Sequence, residues 1–159
     1  MIQLSKSLSA IFALAMLLFG GCATKPEGPV AITKVNPYHL QPGPFVRSED
    51  EMIVHEHRRL LHGAINSEEY AERMGNYFSI FWNSKDKNPA TVRFQYCQAM
   101  TGPKVYVKEI QVPNPKRKNV TKFEITGQEY EELGKVTQWR ASILENGVEV
   151  AKYESFLWR

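Results

Sequence analysis

Hydrophobic and polar residues alternate in short runs over the second half of the chain, which is typical of strands with one buried face. Between residues 91 and 100, for example, Val92, Phe94 and Tyr96 alternate with Arg93 and Gln95. Residues that favour turns separate these runs. The pattern predicts strands over residues 77–82, 91–100, 104–112, 120–126, 136–145 and 148–158.

The last two of these runs flank an Asn-Gly pair at residues 146–147. This pair accepts positive φ at both central positions of a two-residue turn, as a type I′ hairpin requires. We therefore expect residues 136–145 and 148–158 to pair as an antiparallel hairpin. The second strand ends in Phe-Leu-Trp, and this apolar end predicts that both of its faces are covered.

Helix signals precede the first of these strands. Asn66 and Glu69 have the spacing of a capping box and Gly75 provides an end, so a helix of about two turns is predicted between them. Residues 53–64 fit both a strand and a helix, because their apolar positions match either period. We interpret residues 58–65 as a strand.

With a strand near residue 60, about six or seven strands separated by turn residues predict a mainly β fold, an antiparallel β-sandwich with one short helix. In pattern, the domain resembles an immunoglobulin or fibronectin type III sandwich. Tyr130 precedes the penultimate strand, where immunoglobulin-like domains have a corner tyrosine. The alternative is an α+β fold in which a helix lies across one sheet.

The beginning of the chain has the features of an export signal. A short segment that carries Lys6 is followed by an uncharged apolar run over residues 8–19. Signal-peptide cores have about seven to fifteen apolar residues, whereas a membrane-spanning helix needs roughly twenty. The length of the run therefore predicts a cleaved signal peptide.

The signal ends in the sequence LFGGC at residues 18–22, which resembles the lipobox of bacterial lipoproteins. Phe19 stands where the family usually has leucine. The resemblance implies transfer of a diacylglyceryl group to the Cys22 thiol, cleavage before Cys22 and anchoring by its acyl chains, palmitate among them. Ala23 follows the cysteine instead of aspartate, which by the same resemblance favours the periplasmic face of the outer membrane over the inner membrane.

These signals divide the chain into three parts. Residues 1–21 are predicted to be a lipoprotein signal peptide, residues 22–44 a lipidated cysteine with a proline-rich linker, and residues 45–159 the β-sandwich domain. The predicted location is the cell envelope, at a membrane surface.

Charge and cysteine content exclude two further features. The charges of the mature chain nearly balance, and its one basic run, residues 116–118, lies beside a Pro-Asn-Pro turn. Nucleic-acid-binding proteins carry a concentrated basic face, so we expect no nucleic-acid partner and interpret the run as a solvated loop, with weak contact to anionic lipid or glycan as the alternative. Cys97 is the only other cysteine, so an internal disulfide is not expected, and its strand pattern predicts a buried thiol.

Three histidines within eight residues, His55, His57 and His62, are weak candidates for metal ligands. On a strand, His55 and His57 would share a face, but His62 would point the other way; on a helix, His55 and His57 diverge. Neither geometry gathers three ligands. A solvated polar segment is therefore the preferred interpretation, and no metal or other cofactor is predicted.

No catalytic motif is present. The sequence contains no serine nucleophile elbow, phosphate-binding glycine loop or CxxC pair. Acidic residues are frequent, but a glycosidase needs two carboxylates brought together from separate parts of the chain. The chain is therefore interpreted as a protein without predicted catalytic residues.

Aromatic residues are more numerous than one small core obviously needs. The alternation of the strands turns some of them outward, where they can bind a glycan or a protein. The residues proposed for such a surface are Trp82, Tyr106, Tyr153 and Trp158.

Three functional hypotheses follow. The preferred one is a non-enzymatic interaction module, tethered by lipid on Cys22, that binds another envelope protein or a glycan through a sheet edge or an aromatic face. The second is an envelope protein that binds a metal or small ligand through His55 and His57. The third is an envelope hydrolase with carboxylates from separate loops.

Overall fold

The computed structural model describes residues 28–43 and 49–158, which form two antiparallel sheets and three helices. The strands are β1 (Val30–Leu40), β2 (Gly75–Ser84), β3 (Ala90–Gln98), β4 (Val105–Val112), β5 (Lys118–Thr126), β6 (Val136–Glu145) and β7 (Val148–Glu154). The helices are α1 (Glu51–Leu61), α2 (Ser67–Arg73) and α3 (Gly127–Leu133).

The two sheets pack as a sandwich. One sheet has the order β1-β2-β5 and the other β4-β3-β6-β7. The third, sixth and seventh strands share a sheet, and the first, second and fifth share the other, as in immunoglobulin-like domains. The predicted mainly β sandwich is confirmed, and the α+β alternative is wrong because the sheets provide the core.

Aromatic side chains fill the space between the sheets. The ring of Phe94 on β3 has its centroid 4.6 Å from that of Phe78 and 5.2 Å from that of Phe123, both on the opposite sheet. Trp82 and Tyr96 are also buried. Burial of each such side chain stabilises the fold by about 2 to 3 kcal/mol, so the contact between sheets provides most of the driving force for folding.

The Asn-Gly hairpin is confirmed. Asn146 and Gly147 have φ of 50° and 79°, and Glu145 pairs with Val148 across the turn. The prediction for the end of the second strand is wrong: β7 ends at Glu154 and is mostly exposed, and Phe156 is 99% exposed. A sheet of three strands cannot cover all four strands of the other, so the edge strand β7 keeps much of its surface in water.

The N-terminal strand corrects the predicted linker. β1 pairs with β2 along its length, from Val30 opposite Ser84 to Leu40 opposite Gly75. Its Val and Ile side chains point into the core, and their burial stabilises a strand in a segment whose proline content predicts a linker. Pro37 is tolerated because β1 is an edge strand, where a missing N–H breaks no ladder on its open side. Residues 30–40 therefore belong to the sandwich, and the predicted boundary at residue 45 lies too late.

The strand predicted over residues 58–65 is also wrong. α1 begins after Asp50, whose Oδ1 accepts a hydrogen bond from the Met52 N–H at 2.9 Å. Arg58 and Arg59 lie in the last turn, where cations favour the helix dipole. The Asp50 cap therefore starts a helix where the apolar pattern fits a strand equally well.

The helix predicted after Asn66 is confirmed. The Asn66 Oδ1 accepts from the Glu69 N–H at 2.8 Å, and Glu69 Oε2 accepts from the Ile65 N–H at 2.8 Å. Residues 28–43 and 49–158 contain three helices where one was predicted. The third, α3, occupies the connection between β5 and β6, where glutamates and Gln128 supply good helix formers.

Gly75, the first residue of β2, provides a test of this packing. It has φ of 149°, and a Cβ there would lie 2.1 Å from the Ile125 carbonyl oxygen. We expect Gly75→Ala to lower the free energy of unfolding by about 4 kcal/mol or more, because backbone atoms of β5 would have to move. Urea unfolding followed by circular dichroism measures the change.

Gly102→Ala is the matched control. Gly102 also has positive φ, 59°, but a Cβ there would meet nothing within 4 Å. Its replacement should cost only about 1 to 2 kcal/mol, the strain of the left-handed backbone. Equal losses in the two variants would contradict the close approach of β2 and β5.

Candidate functional site

A groove lies on the outer face of the three-stranded sheet, between that sheet and α1. Its volume is about 610 Å³, within the range of sites that bind small ligands or peptide side chains. Apolar and aromatic side chains predominate in its lining. The groove is lined by Asn36, Pro37, Tyr38, Met52, Ile53, His55, Glu56, Tyr77, Ser79, Phe81, Val120 and Lys122.

The alternation of β2 builds the floor of the groove. Phe78, Ile80 and Trp82 point into the core, so Tyr77 and Phe81 point outward, as the period of two requires. The neighbouring strands extend this surface sideways, since Tyr38 of β1 lies opposite Tyr77 and Val120 of β5 lies opposite Phe81. The outer face of this sheet is therefore aromatic and apolar across all three strands.

The wall formed by α1 leaves apolar surface in water. None of its residues is buried, and Met52 and Ile53, which line the groove, are 75% and 43% exposed. Surface helices of globular proteins normally bury their apolar stripe. A contiguous apolar strip that stays exposed beside a concave surface is typical of an interaction site.

Hydrogen bonds from α2 hold the far end of α1 in place. Nη1 of Arg73 donates to the carbonyl oxygens of Leu60 at 3.1 Å and His62 at 2.5 Å. The hydroxyl of Tyr77, on the groove floor, donates to the Arg73 carbonyl oxygen at 2.6 Å. Arg73 thus connects the end of α1 to the floor, and the groove is a preformed feature of the fold.

Charged groups of both signs border the groove. Glu56 of α1 pairs with Arg59 at 2.5 Å, and a hydrogen bond from Arg59 is the main cause that lowers the pKa of Glu56. Lys122 lies on the floor beside β2. Burial, with a smaller contribution from Glu124, raises the pKa of Tyr77 to about 12, so its phenol is a neutral hydrogen-bond donor near pH 7.

The outer face of the four-stranded sheet has a different character. Its charges form cross-strand ion pairs, in which Arg93 contacts Glu109 at 2.6 Å and Arg140 contacts Glu149 at 2.7 Å. Ser142 also donates to Glu149 at 2.7 Å. Paired charges of this kind are typical of a solvated face. The two faces of the sandwich therefore differ, and the aromatic groove lies on the sheet beside α1.

A polar cluster at one end of the sandwich is built around the carboxylate of Glu129. The hydroxyl of Tyr96 donates to Oε1 of Glu129, and Nζ of Lys108 donates to Oε2 at 2.7 Å. Buried Gln98 donates to the carbonyl oxygen of Gly134 at 2.9 Å. Both oxygens of Glu129 are thus occupied, and the cluster attaches α3 to the sheets.

The three histidines considered as metal ligands do not form a cluster, because His55 and His57 lie at different positions around α1 and His62 lies beyond its end. His55 lines the groove, His57 lies two residues further around α1, and His62 follows the helix end. Within residues 28–43 and 49–158, no three His, Cys, Asp or Glu side chains are grouped to hold a metal ion.

A fourth histidine, His39, has a clearer role. Its Nε2 lies 2.7 Å from the hydroxyl oxygen of Tyr130. This contact joins β1 to α3 and explains why Tyr130 is not a corner tyrosine, whose hydroxyl would bond backbone a few residues upstream. No local pattern indicates this pair, because the two residues are 91 positions apart.

Of the four residues proposed for an aromatic surface, Trp82 is corrected by the structure. Trp82 is 1% exposed and its indole N–H donates to Oγ1 of Thr121 at 3.0 Å, so it belongs to the core. Tyr106 is partly buried against Tyr96, and Tyr153 stacks on Trp139 while remaining partly exposed.

Trp158 is partly exposed beyond the last strand. None of the four residues proposed for the aromatic surface lines the groove beside α1. Cys97 is buried, as predicted.

Sequence reasoning missed the residues that do form the groove. Tyr38 lay in the assumed linker, and Phe81 was one aromatic among many. The signal was the alternation of Tyr77, Ser79 and Phe81 on one face of β2. The sequence alone does not show which face of β2 points outward, because Phe78 and Ile80, which lie between these residues, are also apolar.

Comparison with known proteins adds little about function. No protein-family model matches this chain, and no curated protein matches it. A solved structure of a protein from Akkermansia muciniphila is similar at a TM-score of 0.47 and 14% sequence identity, over 86% of this chain and 75% of the other.

The sequence-predicted anchor lies outside the described residues, since Cys22 precedes residue 28. In the part of the chain that the structure describes, no helix has the length and apolar character to cross a membrane.

The raised pKa of Tyr77 leads to a test at alkaline pH. The folded chain keeps the Tyr77 proton between pH 10 and 12, where the unfolded chain has lost it. The free energy of unfolding therefore falls as the pH rises through this window. We expect Tyr77→Phe to lessen that fall, as measured by urea unfolding at pH 10 and at pH 12.

Neutral pH provides the reference for this variant. There the substitution should cost about 1 kcal/mol, the hydrogen bond from the Tyr77 hydroxyl to Arg73. If wild type and variant lost the same stability between the two alkaline conditions, Tyr77 would not carry the raised pKa.

Proposed function

We propose that this chain is a lipid-anchored protein of the bacterial cell envelope whose β-sandwich acts as a non-enzymatic binding module. The anchor is the set of acyl chains on Cys22, and the favoured location is the periplasmic face of the outer membrane. The partner is another envelope protein or a glycan, and it binds in the groove between α1 and the outer face of the three-stranded sheet.

One observation carries this proposal: the aromatic groove is preformed yet left partly uncovered by α1. Tyr38, Tyr77 and Phe81 offer flat apolar surfaces, and Tyr hydroxyls together with Asn36 and Ser79 offer hydrogen bonds at the edges. Rigid aromatic residues bordered by polar groups bind partners with little loss of side-chain entropy. The opposite face instead carries cross-strand ion pairs, Arg93–Glu109 and Arg140–Glu149.

Neither alternative gains a specific supporting contact. The groove includes His55, but the described residues bring no second and third ligand to it. The carboxylate of Glu129 is held by Tyr96 and Lys108 in a cluster that attaches α3, and that of Glu149 is held by Arg140 and Ser142. The binding module therefore remains the preferred hypothesis.

A photo-crosslinking amino acid at position 81 tests the groove in living cells. We expect benzoylphenylalanine in place of Phe81 to give one discrete crosslinked product, because this position lies on the groove floor. The matched position is Val107, which is 52% exposed on the opposite sheet. Identical products from both positions, or none from position 81, would overturn the proposed site.

A charge placed in the groove wall provides the second part of this test. Ile53→Glu should reduce the product from position 81 because a carboxylate opposes an apolar contact. Val107→Glu adds the same charge on the opposite sheet and should leave the product unchanged. Both residues are exposed, so neither change should unfold the chain.

The anchor is tested separately by metabolic labelling with a palmitate analogue. Label should appear on the wild-type chain and on Cys97→Ser, and should be lost from Cys22→Ser, because only Cys22 follows the lipobox-like sequence. Mass spectrometry should find a mature chain that begins at an acylated Cys22. An unmodified thiol there, or an intact N-terminus at Met1, would refute the proposed location.

A further inference from the structure

The described chain begins at one end of the sandwich, next to two loops. The carbonyl oxygen of Pro29 accepts a hydrogen bond from the Lys85 N–H at 2.8 Å, and the Ser84 N–H donates to the Arg117 carbonyl oxygen at 3.2 Å. Pro29 therefore enters the domain between the β2–β3 turn and the β4–β5 loop, and residues 22–29 are here called the tether.

Basic side chains are concentrated on these two loops. We call them the tether-end patch, and all are exposed: Lys85, Lys87, Lys116, Arg117 and Lys118. Among the residues that the structure describes, no ion pair engages any of the five. Asp86 is the one acidic residue within these two loops. The patch thus retains an excess of positive charge.

The loop that carries most of the patch has a fixed shape. Asn119 accepts a hydrogen bond from the Lys116 N–H at 2.7 Å and donates to the Lys116 carbonyl oxygen at 2.6 Å. Pro115 beside it is buried. The backbone is therefore already ordered, so binding at this loop requires ordering of side chains only.

The opposite end of the sandwich is acidic. Helices α2 and α3 adjoin that end, where Gly75 pairs with Thr126, and together they carry six carboxylates but only one arginine. The domain consequently has a charge asymmetry along its long axis, positive where the tether attaches. Such a field orients a protein at a charged surface.

The length of the tether brings this end close to the membrane. Pro29 lies seven positions after Cys22, and a fully extended chain over seven positions spans at most about 25 Å. A side chain at the tether end can thus approach the surface, whereas α2 and α3 lie at the far end of the three-stranded sheet.

From these observations we propose that the tether-end patch binds the anionic phospholipid headgroups of the membrane to which Cys22 is anchored. This inference rests on the proposed lipid anchor and adds an electrostatic contact that orients the domain. Phosphodiester headgroups suit lysine and arginine, and an anionic surface attracts basic residues within about 8 Å, the Debye length at physiological salt. Acyl chains together with a basic patch hold a protein more firmly than acyl chains alone.

Vesicle sedimentation tests the patch without the acyl chains. The protein is the chain from residue 22 with Cys22→Ser, which retains every contact described here, since all lie within residues 28–158. It should bind vesicles of phosphatidylglycerol and phosphatidylethanolamine, release in high salt, and bind phosphatidylcholine vesicles poorly. Lys116→Gln/Arg117→Gln/Lys118→Gln should weaken binding by about tenfold to 100-fold.

The matched control removes the same charges at the far end. Arg58→Gln/Lys104→Gln/Lys135→Gln changes two lysines and one arginine that are exposed near the helices, and its binding should equal that of the parent chain. Equal weakening by both triple variants, or equal binding to both kinds of vesicle, would overturn the proposal. So would tight binding to a soluble acidic polysaccharide with no binding to vesicles.

The two proposals fail in different experiments. An unacylated Cys22 in cells would refute the anchor but leave vesicle binding by the patch to be measured directly. Acylated Cys22 with vesicle binding that ignores the patch would refute this inference and leave the binding module intact.

Discussion

The pairing of β1 with β2 is the interaction on which the rest of the molecule depends. Through this ladder Val30, Ile32 and Val35 enter the core, so the sandwich is closed by residues that composition alone would place in a linker. The same pairing sets Tyr38 beside Tyr77 and so creates one side of the groove. It also fixes the end of the sandwich from which the tether leaves.

The unequal size of the two sheets is the second constraint. Three strands face four, so the edges of the larger sheet stay partly in water, as the exposed β7 shows. Cross-strand ion pairs such as Arg140–Glu149 make the outer face of that sheet compatible with solvent. The smaller sheet instead has aromatic residues on both faces. One set forms the core, and the other needs the partial cover that α1 provides.

Local signals in the sequence were sufficient for some elements. The Asn146-Gly147 turn and the Asn66 cap were predictable because each depends on residues within four positions of one another. The start of α1 was harder to predict. Asp50 caps the helix, but the apolar positions that follow fit a strand equally well. β1 could not be assigned, because its stability comes from a partner strand about 45 residues later in the chain.

The candidate site was harder to predict than the fold for a related reason. Alternation places Tyr77 and Phe81 on one face of β2 and Phe78 and Trp82 on the other, but both sets are aromatic. Only the packing of the second sheet decides which set is buried. The prediction that Trp82 lies at the surface is therefore wrong, because it is in the core. The place of Tyr38 in the groove depends on the pairing of β1 with β2, which the local sequence does not indicate.

The groove and the attachment point of the tether lie at different positions along β1. This distance relates the proposed binding module to the proposed membrane contact. Tyr38 is eight residues along β1 from Val30, which corresponds to about 26 Å at the rise of an extended strand. A domain anchored through residues 22–29, with its basic end on the lipid, would hold Tyr38, at the far end of the groove, about that far above the headgroups. A partner in the envelope could then reach α1 from the side, whereas a domain lying flat would bring the groove towards the bilayer. Orientation by the tether-end patch would in this way control access to the binding surface.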